Sequence, residues 1–120
     1  MTPRNVVENY WAVECGRDVE AILACYNEDA ELLVPGLGRL IGHAEIRRFY
    51  QESVDRFPVL EVKIVGAVEH ADRGAFEWRS RFRDHAGREY PLGGVNMIAV
   101  RGGKLQQVHV YYDPADITAE

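Results

Sequence analysis

Residues 5–35 read NVVENYWAVECGRDVEAILACYNEDAELLVP, two helical periods followed by a short apolar alternation. Val6, Val7, Tyr10, Trp11 and Val13 recur at helical spacing and make one broad apolar face. Pro3 suits the first turn, where a missing backbone N–H costs nothing. Gly16 is placed to end this helix and Asp18 to cap the next, because an aspartate oxygen can accept from the first free N–H groups. Val19, Ile22, Leu23 and Tyr26 then repeat at i, i+3, i+4 and i+7, which predicts a second helix ended by Asn27, Glu28 and Asp29. A short strand over residues 30–34 follows.

Outward from this stretch, PGLGRLIG is a turn by its Pro and Gly content, with residues 39–41 able to pair briefly as strand. A third helix turns Ile46, Phe49, Tyr50 and Val54 inward and ends at Pro58. Beyond residue 60 the period becomes two. Apolar residues of 60–64 alternate with Glu61 and Lys63. Phe76, Trp78, Ser80 and Phe82 alternate with Glu77, Arg79, Arg81 and Arg83, giving one largely aromatic face and one charged face. His85, Ala86 and Gly87 make a hairpin turn. Two long strands, roughly 90–100 and 105–112, meet at residues 101–104, and their length suits a strongly curved sheet. Gly93 and Gly94 are expected to permit a bend or a bulge there. The pattern predicts a single α+β domain over residues 1–120: a cone-shaped, curved, mixed or antiparallel sheet wrapped by three helices of the N-terminal half.

Composition narrows the function. With 47% hydrophobic and 28% charged residues, the 120-residue chain has ordinary globular make-up, and only the closing DITAE reads as disordered. The net charge of −5 opposes non-specific nucleic-acid binding, which depends on Lys and Arg neutralising phosphates. No apolar stretch approaches the roughly 20 residues that span a bilayer, and the N-terminus lacks a signal-peptide pattern, so a cytoplasmic protein is expected. Cys15 and Cys25 read as buried free thiols. His43, His70, His85 and His109 stand at non-ligand spacings, and the Gly pairs precede no helix, so neither a metal nor a nucleotide-type cofactor is expected.

What remains is a pocket. Amphipathic helices packed on one face of a bent sheet leave a cavity at the open end. By strand parity Trp78, Ser80 and Phe82 face it, with Tyr10 and Tyr50 reaching in from the helices; Trp11, Val34 and Tyr112 join them as ligand-binding candidates. Such a lining suits a small apolar or aromatic molecule with a carbonyl or phenolic oxygen.

The helical stretch of residues 5–35, IGHAEIRRFY and the late GGKLQQVHVYYD together resemble the nuclear-transport-factor-2-like superfamily, a cystatin-like fold, and within it the ketosteroid isomerases and their SnoaL-like relatives. In the isomerases a helix tyrosine and a protonated aspartic acid form an oxyanion hole for a dienolate. The resemblance implies that Tyr10, in VVENYW, stands at the tyrosine, and Asn96, in GGVNMIAV, at the aspartic acid. It also implies that Tyr50, in IRRFY, supports the oxyanion tyrosine. An asparagine amide still donates to an oxyanion without needing a raised pKa. At the family's general base this chain has Val34, which cannot lift a proton from carbon. A base is worth about 10²–10⁴-fold, so steroid isomerisation by the family mechanism is not expected.

Other carboxylates answer poorly to that loss. Glu31 and Glu77 point to the opposite strand face by parity; the resemblance to SnoaL-like cyclases, which draw an acid or base from late strands, keeps Asp113 open as that group, although by parity it shares the outer face with His109 and Tyr111 unless a bulge shifts it. The outer face also carries Arg79 and Arg81 and suits a homodimer interface, where Arg and Tyr are enriched. Three readings stay open: an enzyme holding an enolate-like intermediate with Tyr10 and Asn96, a binding module for a flat apolar metabolite, and a dimerisation or assembly domain.

Overall fold

Thr2 caps the first helix from both sides. Its hydroxyl accepts from the Asn5 N–H at 3.1 Å, and the Asn5 side chain accepts from the Thr2 N–H at 3.2 Å. The helix that follows, α1, runs Pro3–Cys15 and buries Val6, Val7, Tyr10, Trp11 and Glu14. Asp18 accepts from the Glu20 and Ala21 N–H groups and starts a short α2, Val19–Leu23. The computed structural model describes residues 1–117.

Here the helical reading of Tyr26 fails. Rather than closing α2, Tyr26 opens β1, Tyr26–Val34, which also absorbs the polar residues 27–29. Tertiary pairing overrides the local period: the Leu105 N–H donates to the Cys25 carbonyl at 2.9 Å, and Tyr26 lies beside Leu105 in a parallel register. The consequence is functional, since it turns the Tyr26 ring into the core.

After β1 the chain doubles back as β2, Gly38–Ile41, and enters α3, Gly42–Arg56. Glu45 reaches back to accept from the Ile41 N–H at 2.7 Å, which closes the first turn of α3 in the absence of a side-chain cap. Four antiparallel-linked strands complete the sheet: β3, Val59–His70; β4, Arg73–Arg83; β5, Glu89–Arg101; and β6, Lys104–Tyr111. The order is β2-β1-β6-β5-β4-β3, with β1 and β6 the parallel pair, so the six-stranded sheet is mixed, curled and unclosed. The α1 and α3 helices cover its inner face, and the core lies between.

Gly93 and Gly94 do not break the ladder. Pairing between β4 and β5 is continuous from Arg73↔Ala99 to Arg83↔Glu89, and the register shifts fall instead at residues 26–31, 64–66 and 99–100. Gly94 serves a different end. A Cβ there would stand 2.6 Å from Trp78 Cζ2 and 2.4 Å from the Tyr111 carbonyl oxygen, so only glycine lets the indole lie across β5.

A 3-10 turn, Pro114–Ile117, closes the described chain, held by the Arg56 guanidinium donating to the Ile117 carbonyl at 3.0 Å. Two residues of the DITAE stretch thus belong to this turn, and residues 118–120 lie outside the described part. Both cysteines are free thiols, half-buried rather than fully buried. Among the described residues, no helix is long and apolar enough to cross a membrane.

Candidate functional site

Three tyrosines converge where α1, α3 and β1 meet. The Tyr50 hydroxyl lies between those of Tyr10 and Tyr26, hydrogen-bonded to both and 2.5 Å from that of Tyr26. The Tyr10 and Tyr26 rings meet edge to face, 5.8 Å apart at 88°. Burial pushes all three phenols up, Tyr10 and Tyr50 well above the ordinary tyrosine value, because no water reaches the phenolate. They therefore act as neutral donors. Linked in this way the three hydroxyls polarise one another, and two bonds among three O–H groups leave one proton of the chain for a further acceptor.

Tyr10 and Tyr50 line a cavity of about 260 Å³ between the helices and the inner sheet face. Trp11, Trp78, Ser80, Phe82, Asn96 and Tyr112 share its wall, so the structure brings together all but one of the residues expected from the sequence. The exception is Val34. It packs in the core near the β1–β2 turn and is not among the lining residues; Leu32, two residues earlier on the same face, lines the cavity in its place. Leu37, in the turn after Val34, reaches the rim.

Asn96 is buried, and its environment orients the amide. The Trp78 indole N–H donates to Asn96 Oδ1 at 2.9 Å, which leaves Nδ2 as the group able to donate into the cavity that Asn96 lines. The indole is in turn seated over Gly94. Ser80 Oγ is a second polar feature of the wall, buried with no hydrogen-bond partner among the described residues. Such a group is costly to leave unpaired.

Sequence reasoning missed two participants. Tyr26 was read as helix-face packing and becomes the end of the hydroxyl chain. Glu14 was passed over, though it stands four residues after Tyr10 and hence on the same helix face, a spacing that signals it. Its side chain is 11% exposed and lines the cavity. Desolvation raises its pKa, against the opposing pull of Arg17 and then of the Tyr10 hydroxyl. The Arg17 guanidinium, only 8% exposed, lies 3.9 Å from the Glu14 carboxylate and donates to Ser53 Oγ and to the Phe57 carbonyl at 3.0 and 3.1 Å. Arg17 reaches this position with φ of 59°, a conformation unfavourable for an L-residue that its side-chain bonds hold in place.

The other carboxylates lie elsewhere. Asp113 is exposed and accepts from the Ala115 N–H at 3.0 Å, capping the last turn and not lining the cavity. Glu31 faces the outer side, as parity predicts, and accepts from His109 at 2.6 Å, Arg39 at 2.5 Å and Gln107 at 3.2 Å. These bonds, that to His109 foremost, hold its pKa down at about 2. Among the described residues no three His, Cys, Asp or Glu side chains group closely enough to hold a metal ion.

A mixed, curled sheet wrapped by three helices over an apolar cavity defines a nuclear-transport-factor-2-like fold, and solved structures agree. A hypothetical protein of Catenulispora acidiphila with a ketosteroid isomerase-like fold, solved in complex with trimethylamine, aligns with a TM-score of 0.83 over 98% of this chain and 91% of its own, at 16% identity. TerC, co-crystallised with polyporic acid, aligns at 0.80 over 94% and 92%, with 22% identity. A protein of unknown function from Burkholderia pseudomallei, described as NTF2-like, aligns at 0.81 over 96% and 93%, with 20% identity. At these identities the likeness is one of fold. The model of the SnoaL-like domain family matches residues 7–108, and the chain belongs to that family. Among curated proteins, none matches the sequence.

Proposed function

We propose that the protein binds a small, flat, mostly apolar molecule by one carbonyl or phenolic oxygen, held by Tyr10 and Asn96, and acts as a cyclase- or isomerase-like enzyme that stabilises an enolate-like intermediate. The observation that carries this reading is the presence of Tyr10 and Asn96, two neutral groups able to donate, in the wall of one apolar cavity. Tyr10 ends a chain of three hydroxyls, and Asn96 has its carbonyl occupied by Trp78. Both donors stay neutral, so a developing oxyanion is stabilised without competition from charge already on the donors. An oxyanion donor of this kind is worth about 2.7–4 kcal/mol. The size of the cavity and its aromatic wall support a ligand of one or two rings. TerC, which shares this fold, was co-crystallised with polyporic acid, and this supports a small-molecule ligand.

A second reading, a binding module without chemistry, is favoured by Val34, since the family's base position carries no proton acceptor. An assembly domain with a filled pocket is disfavoured by the cavity itself. In either functional reading we place a homodimer contact on the outer sheet face, where exposed Met97 and Tyr111 lie beside His109 and the arginines of β4.

Fluorescence titration with 2-naphthol, a phenol that presents a partly charged oxygen on a flat ring, tests the oxygen site. Saturable binding that weakens about tenfold or more in Tyr10→Phe is the expected result, the loss of one hydrogen bond of about 1.4 kcal/mol. Equal affinity in wild type and variant, or no binding to either, would remove Tyr10 from the reading.

A further inference from the structure

We infer that Glu14 is the proton-transfer group of this cavity, acting from helix α1 in place of the carboxylate that the strand position Val34 lacks. The inference rests on the oxygen site of the previous section and deepens it.

Three observations converge on Glu14. The first is position: Tyr10 and Glu14 lie one helical turn apart on the buried face of α1, and both line the cavity. Four residues are about 6 Å of helix, so a ligand whose oxygen meets Tyr10 extends its neighbouring carbons along the same wall toward Glu14. The second is confinement. Glu14 is the buried carboxylate among the described residues, yet its one cation, Arg17, stands at 3.9 Å, too far for a close hydrogen-bonded ion pair. A carboxylate fully committed to structure would be expected to take the guanidinium directly, as Arg17 instead takes Ser53 and the Phe57 carbonyl.

The third is charge. The groups facing Glu14 are Arg17, the phenols of Tyr10, Tyr26 and Tyr50, and the Cys15 thiol, with Glu52 and Arg56 of α3 on the cavity wall. Desolvation outweighs Arg17 and the Tyr10 hydroxyl and raises the pKa of the carboxyl, the direction that strengthens a base.

The step balances without a co-reactant. Ionised Glu14 takes a proton from the carbon next to the ligand carbonyl; the C–H bond breaks, an O–H bond forms on Glu14, and the electron pair moves into the enolate. The negative charge passes from Glu14 to the ligand oxygen, where the Tyr10 O–H and the Asn96 amide meet it. The cavity therefore carries one negative charge before and after, and never two. Return of the proton from neutral Glu14 to the same or another carbon completes an exchange or an isomerisation.

The test uses 2-tetralone, a flat bicyclic ketone with acidic C–H bonds beside its carbonyl, and follows its exchange with deuterium from solvent by NMR alongside 2-naphthol binding. Wild type is expected to accelerate exchange, with a rate that rises as a group above the ordinary carboxylate range ionises. Glu14→Gln is expected to slow exchange about 10²-fold or more while 2-naphthol affinity stays within a few-fold. Glu14→Asp is expected to recover part of the rate with a displaced pH profile, which a purely structural role would not produce. Exchange at the wild-type rate in Glu14→Gln, or a wild type that binds 2-naphthol in a Tyr10-dependent way but accelerates no exchange, overturns the assignment of Glu14 alone. A wild type that does not bind 2-naphthol overturns the oxygen site and this inference with it.

Discussion

Glu14, on the helix that covers the curled sheet, and Glu31, on the far face of β1, lie on opposite sides of that sheet, and their surroundings move them in opposite directions. Glu14 faces the helix-covered side, where desolvation dominates and raises its pKa. Glu31 faces the open side, where hydrogen bonds from His109, Arg39 and Gln107 hold it at about 2. The difference teaches that the inner face suppresses charge and the outer face consolidates it. The tyrosine chain follows the inner rule, with all three phenols raised, and the cross-strand pairs of Arg81 and Arg83 with Glu89 follow the outer one. Reactivity belongs with the first environment, because a group kept from its preferred ionisation state has a proton to exchange. Stability belongs with the second, where the charged form is held by its partners.

The comparison is broken most severely from inside. Gly94→Ala drives a Cβ into Trp78 and the Tyr111 carbonyl, and overpacking of this kind costs about 1–3 kcal/mol or more. A lower urea midpoint is expected, together with weaker 2-naphthol binding as the indole leaves Asn96. An unchanged midpoint would show that the sheet yields locally at no cost.

The two glutamates themselves give a sharper contrast, read as urea stability against pH. Glu31 has a depressed folded pKa, so its contribution is present above its ordinary value and is lost as pH falls from about 4.5 toward about 2. Glu31→Gln should therefore cost about 1.5–3 kcal/mol at neutral pH, the worth of hydrogen bonds to a charge, and little at pH 2. Glu14 has a raised folded pKa, so its contribution is present below the ordinary carboxylate value and is lost as pH rises through the raised one. Relative to Glu14→Gln, wild type should lose stability as pH rises from the ordinary carboxylate value through the raised one. Parallel curves for wild type and either variant would remove that residue from the contrast.

The mildest disturbance is Arg81→Ala on the outer face. Arg81 pairs with Glu89 at 3.6 Å with both side chains about half exposed, and such pairs contribute about 0–1 kcal/mol. A shift in urea midpoint beyond that range would mark Arg81 as buried in an assembly, which a sedimentation measurement would then detect.

Much of this architecture was legible in residue order. The apolar spacing of α1 and α3 and the alternation of β3 and β4 each repeat over enough residues for burial to impose one period, and Pro3 and Asp18 mark helix starts by local chemistry. Parity alone was enough to send Glu31 outward and Trp78, Ser80 and Phe82 inward. Tyr10, Tyr50 and Asn96 were recognisable as members of one site through the resemblance to ketosteroid isomerases, whose pattern they match.

The folded chain decided the rest, because the deciding contacts are long-range. Tyr26 sits at a helical spacing from Val19, and only pairing with Leu105, 79 residues away, makes it strand and delivers its hydroxyl to Tyr50. Gly94 reads in the sequence as room for a bend or a bulge, and only the packed sheet lays the Trp78 indole across it. Val34 was assigned to the pocket by analogy, yet the turn that follows leaves it in the core. Glu14 shows the division most clearly. Its place on the Tyr10 face follows from a count of four residues. Its burial, its distance from Arg17 and its raised pKa exist only once helix and sheet have closed over it. Local order specifies which groups share a surface, and desolvation, which is a property of everything packed around them, specifies what those groups can do.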